Sequence, residues 1–251
     1  MRDHEWFCDR AGAEIAQMAA AVSAADPAAP VPTCPDWTVA KLVKHTGIVH
    51  RWATQIVSTR SSARVDQRDL DVGLPAAEAA YPQWLAAGAE PLLDVLRSAG
   101  PQTAVWAWGA EQRSGWWSRR MLHETTVHRA DAEFALGMTA PAIDPVVAAD
   151  GIEEFLANLP SARRPASNLA SFPAGESLHL HATDSDGEWL IRFADGTLTW
   201  SRGHEKATTA VRGPVAALLL FTYGRVRPDD DRLTVFGDPA LLEAWQAKTA
   251  L

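Results

Sequence analysis

Apolar residues recur at intervals of three and four positions through the first half of the chain. Between residues 3 and 25 they form one stripe, which predicts an amphipathic helix, and its members are Phe7, Ala11, Ile15, Met18 and Val22. Similar patterns predict further helices over residues 38–59, 75–98, 116–136 and 146–158. Four prolines indicate a loop at residues 27–35, after which Thr38 or Asp36 caps the second helix. The first four helices predict an up-down bundle, a scaffold that builds metal sites from inward-facing side chains.

The pattern changes to a period of two after Pro165. It predicts strands over residues 177–183, 188–193, 197–200, 207–211 and 233–236. Asp-Gly pairs at residues 186–187 and 195–196 indicate tight turns between the first three of these strands. Two helices, over residues 214–223 and 239–248, complete this part of the chain. The whole chain is therefore predicted to be α+β, with its strands in the C-terminal third.

Composition narrows the classes of function. The formal net charge of −8 over 251 residues argues against a general affinity for nucleic acid or for an anionic membrane. Two cysteines without a CxxC pair exclude a disulfide scaffold and a cysteine-based zinc site. The N-terminus lacks the apolar run of a secretory signal, and the longest apolar stretch, residues 215–221, is too short to span a bilayer. We therefore expect a cytoplasmic protein.

Glu124 and His128 are the first candidates for chemistry. They are four residues apart in a predicted helix, so their side chains project about 40° apart and one turn above each other. An HExxH zinc-protease motif does not apply, because His123 and His128 are five residues apart. Asp131 is placed to orient the imidazole of His128. The alternative is an exposed Glu–His pair on a solvated helix face.

A third metal ligand has to come from another helix. His45 lies among apolar neighbours in the second predicted helix, where it is either a ligand or a hydrogen-bonded core histidine. His50 is five positions further along and should point elsewhere. If His45 meets Glu124 and His128, the chain holds an open-sided metal centre with three protein ligands.

Other candidates have weaker support. The chain has no Gly-x-Ser-x-Gly elbow and no glycine-rich phosphate loop before a helix, and Cys34 has no fixed basic neighbour. His179 and His181 share one face of a predicted strand, where they either bind metal or occupy a partly exposed sheet face. Four of the 11 tryptophans either pack between helices or wall an apolar pocket, namely Trp106, Trp108, Trp116 and Trp117.

Three stretches together resemble the mycothiol-dependent maleylpyruvate isomerase family. They read PDWTVAKLVKHTG at residues 35–47, RMLHETTVHRAD at 120–131, and VRGPVAALLLFTYGR at 211–225 followed by VFGDP at 235–239. The similarity extends over essentially the whole chain, in the family's order. It implies a DinB-like metal-binding four-helix bundle over residues 1–142 and a smaller α+β domain over residues 143–251.

The resemblance also implies a site. In the family, the matching histidine of the first motif and the glutamate and histidine of the second bind a divalent metal, usually zinc, which corresponds here to His45, Glu124 and His128. An arginine of the C-terminal domain helps to bind thiol or substrate; Arg225 matches best, with Arg212 and Arg232 as alternatives. The family commonly has an aromatic residue where this chain has Ala130, which leaves the substrate open.

The function implied is that of a zinc-dependent enzyme that uses mycothiol as thiol cosubstrate. Its thiolate would add to an electrophilic small molecule, in an isomerase or an S-transferase reaction. The expected partners are mycothiol and that electrophile, without nucleic acid or membrane, in a monomer or homodimer. Two alternatives remain: a zinc-dependent hydrolase in which the metal activates water, and a non-enzymatic metal-binding or sensing module.

Overall fold

The computed structural model describes residues 2–249 and divides into two compact units, Met1–Pro141 and Ala142–Leu251. The first unit is helical, and the second combines helices with a five-stranded sheet. The predicted α+β class is confirmed. No helix within residues 2–249 is both long enough and apolar enough to cross a membrane.

The described part of the first unit, from residue 2 onward, contains five α-helices: α1 His4–Val22, α2 Val39–Ser58, α3 Tyr81–Ala87, α4 Ala89–Ala99 and α5 Ser114–Ala135. Helix α1 packs against α5, and α2 packs against both α4 and α5. The apolar stripe predicted for the first helix is buried along its whole length. Asp3 caps α1 through the backbone N–H of Trp6, at 2.8 Å. Of the two predicted caps of α2, Thr38 and Asp36, the structure shows Thr38, whose Oγ1 accepts from Lys41 N at 3.2 Å.

The third predicted helix is two helices in the structure. The prediction of one continuous helix over residues 75–98 is wrong, because the chain breaks at Gly88 and the helical part starts at Tyr81. Pro91 explains the break: it has no N–H to donate to the carbonyl of Ala87, four residues earlier, and its ring would clash with that carbonyl. Pro82 is tolerated because it lies in the first turn of α3.

Up to residue 249 the second unit contains four α-helices, α6 Pro145–Asn158, α7 Arg163–Leu169, α8 Val215–Thr222 and α9 Pro239–Thr249. Its strands are β1 Ser177–Ala182, β2 Glu188–Ala194, β3 Thr197–Arg202, β4 Thr209–Gly213 and β5 Thr234–Gly237. The sheet order is β3-β2-β1-β4-β5, and only the β1–β4 pair is parallel among the described strands. Asp195 and Gly196 both have positive φ, as the predicted β2–β3 turn requires. Helix α7 was not predicted from the sequence.

Candidate metal centre

Helix α5 carries its polar residues into the interior. Every residue from 120 to 132 is buried, and Glu124 and His128 are each 8% exposed. The alternative of a solvated Glu–His pair is therefore wrong. Buried carboxylate and imidazole groups need partners, because an unpaired polar group away from water is costly.

Two histidines from different helices meet one oxygen of Glu124. His45 Nε2 on α2 lies 3.1 Å from Glu124 Oε1, and His128 Nε2 on α5 lies 3.3 Å from the same oxygen. One ligand atom from each of the three residues lies within 4.8 Å of the other two. Two imidazole nitrogens and a carboxylate oxygen are ligands that zinc prefers, so these residues fit a divalent metal ion.

The other oxygen of Glu124 is held by an arginine. Arg120, one turn earlier on α5, donates from Nη2 to Glu124 Oε2, and its guanidinium lies 5.5 Å from the centre of the Trp108 ring. Burial would raise the pKa of Glu124, but Arg120 and His128 outweigh burial and hold it well below its usual range. Glu124 is therefore an anion at neutral pH, with Oε1 facing the two imidazoles.

Asp131 fixes the ring of His128. Its Oδ2 accepts from His128 Nδ1 at 2.9 Å, the orienting contact expected from the sequence, which leaves Nε2 facing Glu124. The same carboxylate accepts from Thr33 Oγ1 at 2.6 Å and from Cys34 Sγ at 3.4 Å. Burial opposes a charge on His128, but Glu124 and Asp131 outweigh it and raise the pKa of this histidine to about 9.

The two histidines of α2 have different surroundings. The side chain of His45 is 38% exposed and packs beside the Trp37 ring, with 4.9 Å between ring centres. His50 is completely buried, and its Nε2 donates to Thr125 Oγ1 at 2.9 Å. Sequence reasoning favoured His45 over His50 for the site, and the structure places His45 against Glu124.

His50 should make stability depend on pH. Burial, the largest cause, lowers the pKa of His50 from 6.5 to about 4. Between these two pH values the unfolded chain therefore binds a proton at this histidine and the folded chain does not. We expect up to about 3 kcal/mol of unfolding free energy to be lost as the pH falls from 6.5 to 4. Urea unfolding of wild type and His50→Gln across this range isolates the effect, since other titrating groups are common to both. Parallel pH curves for the two proteins would refute the assignment.

Both parts of the chain match models of one protein family. The model of the mycothiol maleylpyruvate isomerase (MDMPI) N-terminal domain matches residues 8–133, and the model of the MDMPI C-terminal domain matches residues 146–244. The chain belongs to the mycothiol-dependent maleylpyruvate isomerase family. This membership confirms the resemblance that the three sequence motifs indicated. It also confirms the prediction that the protein is an enzyme, and the type is that of the mycothiol-dependent isomerases.

Two crystal structures show the same fold as this member of the family. A histidine-to-alanine variant of the mycothiol-dependent maleylpyruvate isomerase has a TM-score of 0.64 and 14% identity, over 93% of each chain. Another structure, of the mycothiol-dependent maleylpyruvate isomerase, has a TM-score of 0.59 and 16% identity, also over 93% of each chain. No curated protein matches the sequence.

Arg225, the predicted thiol- or substrate-binding residue, lies in the second unit just beyond α8. It is half-buried, follows Gly224 with its positive φ of 74°, and donates from Nη1 to the carbonyl of Tyr223 at 2.8 Å. Arg212 is exposed on β4, and Arg232 is paired through two nitrogens with Asp230. The role of Arg225 in the family's chemistry stays a prediction.

Sequence reasoning did not find every residue around the centre. Trp37 stacks on the ring of His128 at 6.0 Å as well as packing beside His45, and Thr33 and Cys34 bind Asp131 from almost 100 positions away. The only local signal is the pair of prolines that flanks Thr33 and Cys34, because proline restricts the backbone of this loop. The target of Thr33 and Cys34 was not deducible. The four tryptophans belong to the core of the first unit or pack against it. Trp117 is completely buried and lies 5.3 Å from the Trp52 ring of α2, and Trp108 also covers Arg120.

Proposed function

We propose that this family member is a divalent-metal enzyme, with zinc as the metal, that uses mycothiol to attack an electrophilic small molecule. His45, Glu124 and His128 would hold the ion. The observation that supports this is the convergence of their three ligand atoms within 4.8 Å, from two helices, in a largely buried site. With three protein ligands, a bound ion would leave a position for a thiol, and its charge would stabilise the thiolate form that acts as nucleophile.

Each neighbouring residue has a positioning role. Asp131 binds Nδ1 of His128 so that Nε2 faces the centre, where a metal ion would displace the proton of that nitrogen. Arg120 holds one carboxylate oxygen of Glu124 and leaves the other for the centre. Trp37 lies beside both imidazole rings and limits access of water to one side of them. The partial exposure of His45 provides the side from which small molecules enter.

The reaction that fits is addition of the thiolate to a polarised carbon–carbon double bond. A new C–S bond forms, the electron pair of the double bond moves onto the neighbouring carbonyl, and rotation about the resulting single bond becomes possible. Loss of the thiolate then restores the double bond in the other geometry, which is an isomerisation. If the enolate is protonated instead, the adduct is the product of an S-transferase. Arg225 would bind a substrate carboxylate through a charge-assisted pair.

The test is turnover of α,β-unsaturated dicarboxylates, maleylpyruvate among them, by zinc-loaded protein with and without mycothiol. We expect product only with the thiol, and chromatography separates the geometric isomer from the thiol adduct. An equal rate without thiol would overturn the proposal and indicate hydrolysis by metal-activated water. No product from any of these electrophiles, with full metal occupancy and mycothiol present, would also overturn the proposed reaction.

A further inference from the structure

Three histidines and a glutamate gather on one face of the sheet in the second unit. His179 and His181 are two residues apart on β1, so they share a face, and His181 pairs with Glu188 across the antiparallel β1–β2 ladder. Directly after β3, Gly203 N donates to the carbonyl of Glu188 at 3.2 Å, and this brings His204 to the same place. The strand register therefore assembles the cluster, which the sequence showed only as an alternating His-x-His pair.

The distances are those of a ligand set. His179 Nε2 and His204 Nδ1 lie 3.4 and 2.8 Å from Glu188 Oε2, and His181 Nδ1 lies 3.2 Å from Oε1. The three imidazole ring centres are 5.5–6.0 Å apart. Around a tetrahedral zinc ion with bonds of about 2.0–2.1 Å, neighbouring ligand atoms lie about 3.3–3.4 Å apart. Small shifts of exposed side chains would therefore suffice to enclose an ion.

His179 supplies an independent sign that a ligand belongs there. The residue is 5% exposed, and its Nε2 faces Glu188 without a hydrogen-bond partner in the described structure. A buried nitrogen without a hydrogen-bond partner is costly. A metal ion at this point would satisfy that nitrogen.

We infer that His179, Glu188 and His204 form a second metal site, with His181 as an adjacent fourth donor. The donor set of imidazoles and one carboxylate suits Zn²⁺, and it also accepts Ni²⁺ and Cu²⁺. The ion would take the place of the proton between His204 Nδ1 and Glu188 Oε2, and the imidazole of His204 would then carry its proton on Nε2. Because His204 belongs to the segment between β3 and β4 while the other donors lie on β1 and β2, the ion ties this segment to the sheet. The site is separate from the bundle centre and does not depend on the function proposed for it.

Zinc stoichiometry of the full chain tests the inference. After loading with zinc and desalting, elemental analysis should find about two zinc ions per wild-type chain and about one in His204→Gln. The side chain of His204 is 76% exposed, so this variant should fold normally, as circular dichroism checks. Glu205→Gln is the matched control, because Glu205 is the next residue and pairs with Arg192 at 2.6 Å. It should keep both ions.

A second measurement separates this site from the bundle centre. Zinc should raise the thermal unfolding midpoint of His45→Ala through the second site, and the rise should vanish in the His45→Ala/His204→Gln double variant. Equal zinc content in wild type and His204→Gln overturns the second site. If His204→Gln loses one ion while His45→Ala loses none, the second site stands and the ligand set proposed for the bundle centre fails.

Discussion

We expect the His45→Ala and Glu124→Gln variants to lose one zinc ion per chain and to lower thiol-dependent turnover at least about 100-fold. His45 supplies the only described ligand atom of the centre that comes from α2. Glu124→Gln replaces the anionic oxygen that faces both imidazoles by a neutral amide group. Elemental analysis and steady-state kinetics with mycothiol measure the two effects separately.

His50→Gln is the matched control for these variants. It removes a histidine from the same helix, and glutamine can still donate to Thr125 Oγ1, the contact that His50 Nε2 makes. This variant should keep its zinc and its turnover. Full zinc content in both His45→Ala and Glu124→Gln would mean that these residues do not form the centre, whatever their activity.

Arg129→Met should have the largest effect on stability. The guanidinium is 1% exposed and donates to Glu14 Oε2 on α1 at 2.6 Å and to Glu133 Oε1 at 2.5 Å. Its removal leaves two carboxylates without their cation in surroundings that are largely closed to water. We expect the free energy of unfolding to fall by about 3–5 kcal/mol, as urea unfolding measures.

Arg97→Met provides the comparison on the surface. Like Arg129, Arg97 pairs with two carboxylates, here Glu5 at 3.1 Å and Asp9 at 2.6 Å, both on α1. Its side chain is 36% exposed, and the side chains of Glu5 and Asp9 are more exposed still. Its loss should lower the free energy of unfolding by less than about 1 kcal/mol, because water solvates exposed charges well. Similar losses in the two variants would contradict the importance assigned to burial.

Local patterns predicted the elements well. The apolar stripe of α1, the Thr38 cap and the Asp195-Gly196 turn depend on neighbours in sequence, so periodicity and turn chemistry reveal them. The single helix predicted over residues 75–98 is interrupted at Gly88 because Pro91 has no N–H for the carbonyl of Ala87, an effect that apolar periodicity does not register. Helix α7 is one short segment of seven residues, too short for periodicity to reveal.

The sites were predictable only in part. Two ligands four residues apart on one helix are a local signal, and the family motifs linked them to His45. The burial of Glu124 is a tertiary property, as is the attachment of Thr33 to Asp131. The second cluster was out of reach for the same reason: without the strand register, nothing connects His179 to Glu188 or to His204.

Helix α5 also constrains how the first unit folds and how it can change. It has no continuous apolar face, because its own charged and hydroxyl side chains are distributed around the whole helix, yet all of residues 120–132 are buried. Such a helix gains little from forming alone, and Arg129, Glu124 and Asp131 each bind a further partner on α1, on α2 or in the loop at residues 27–35. Assembly of the centre is therefore part of the cooperative folding step, and substitutions that retune its chemistry will also alter the stability of the bundle.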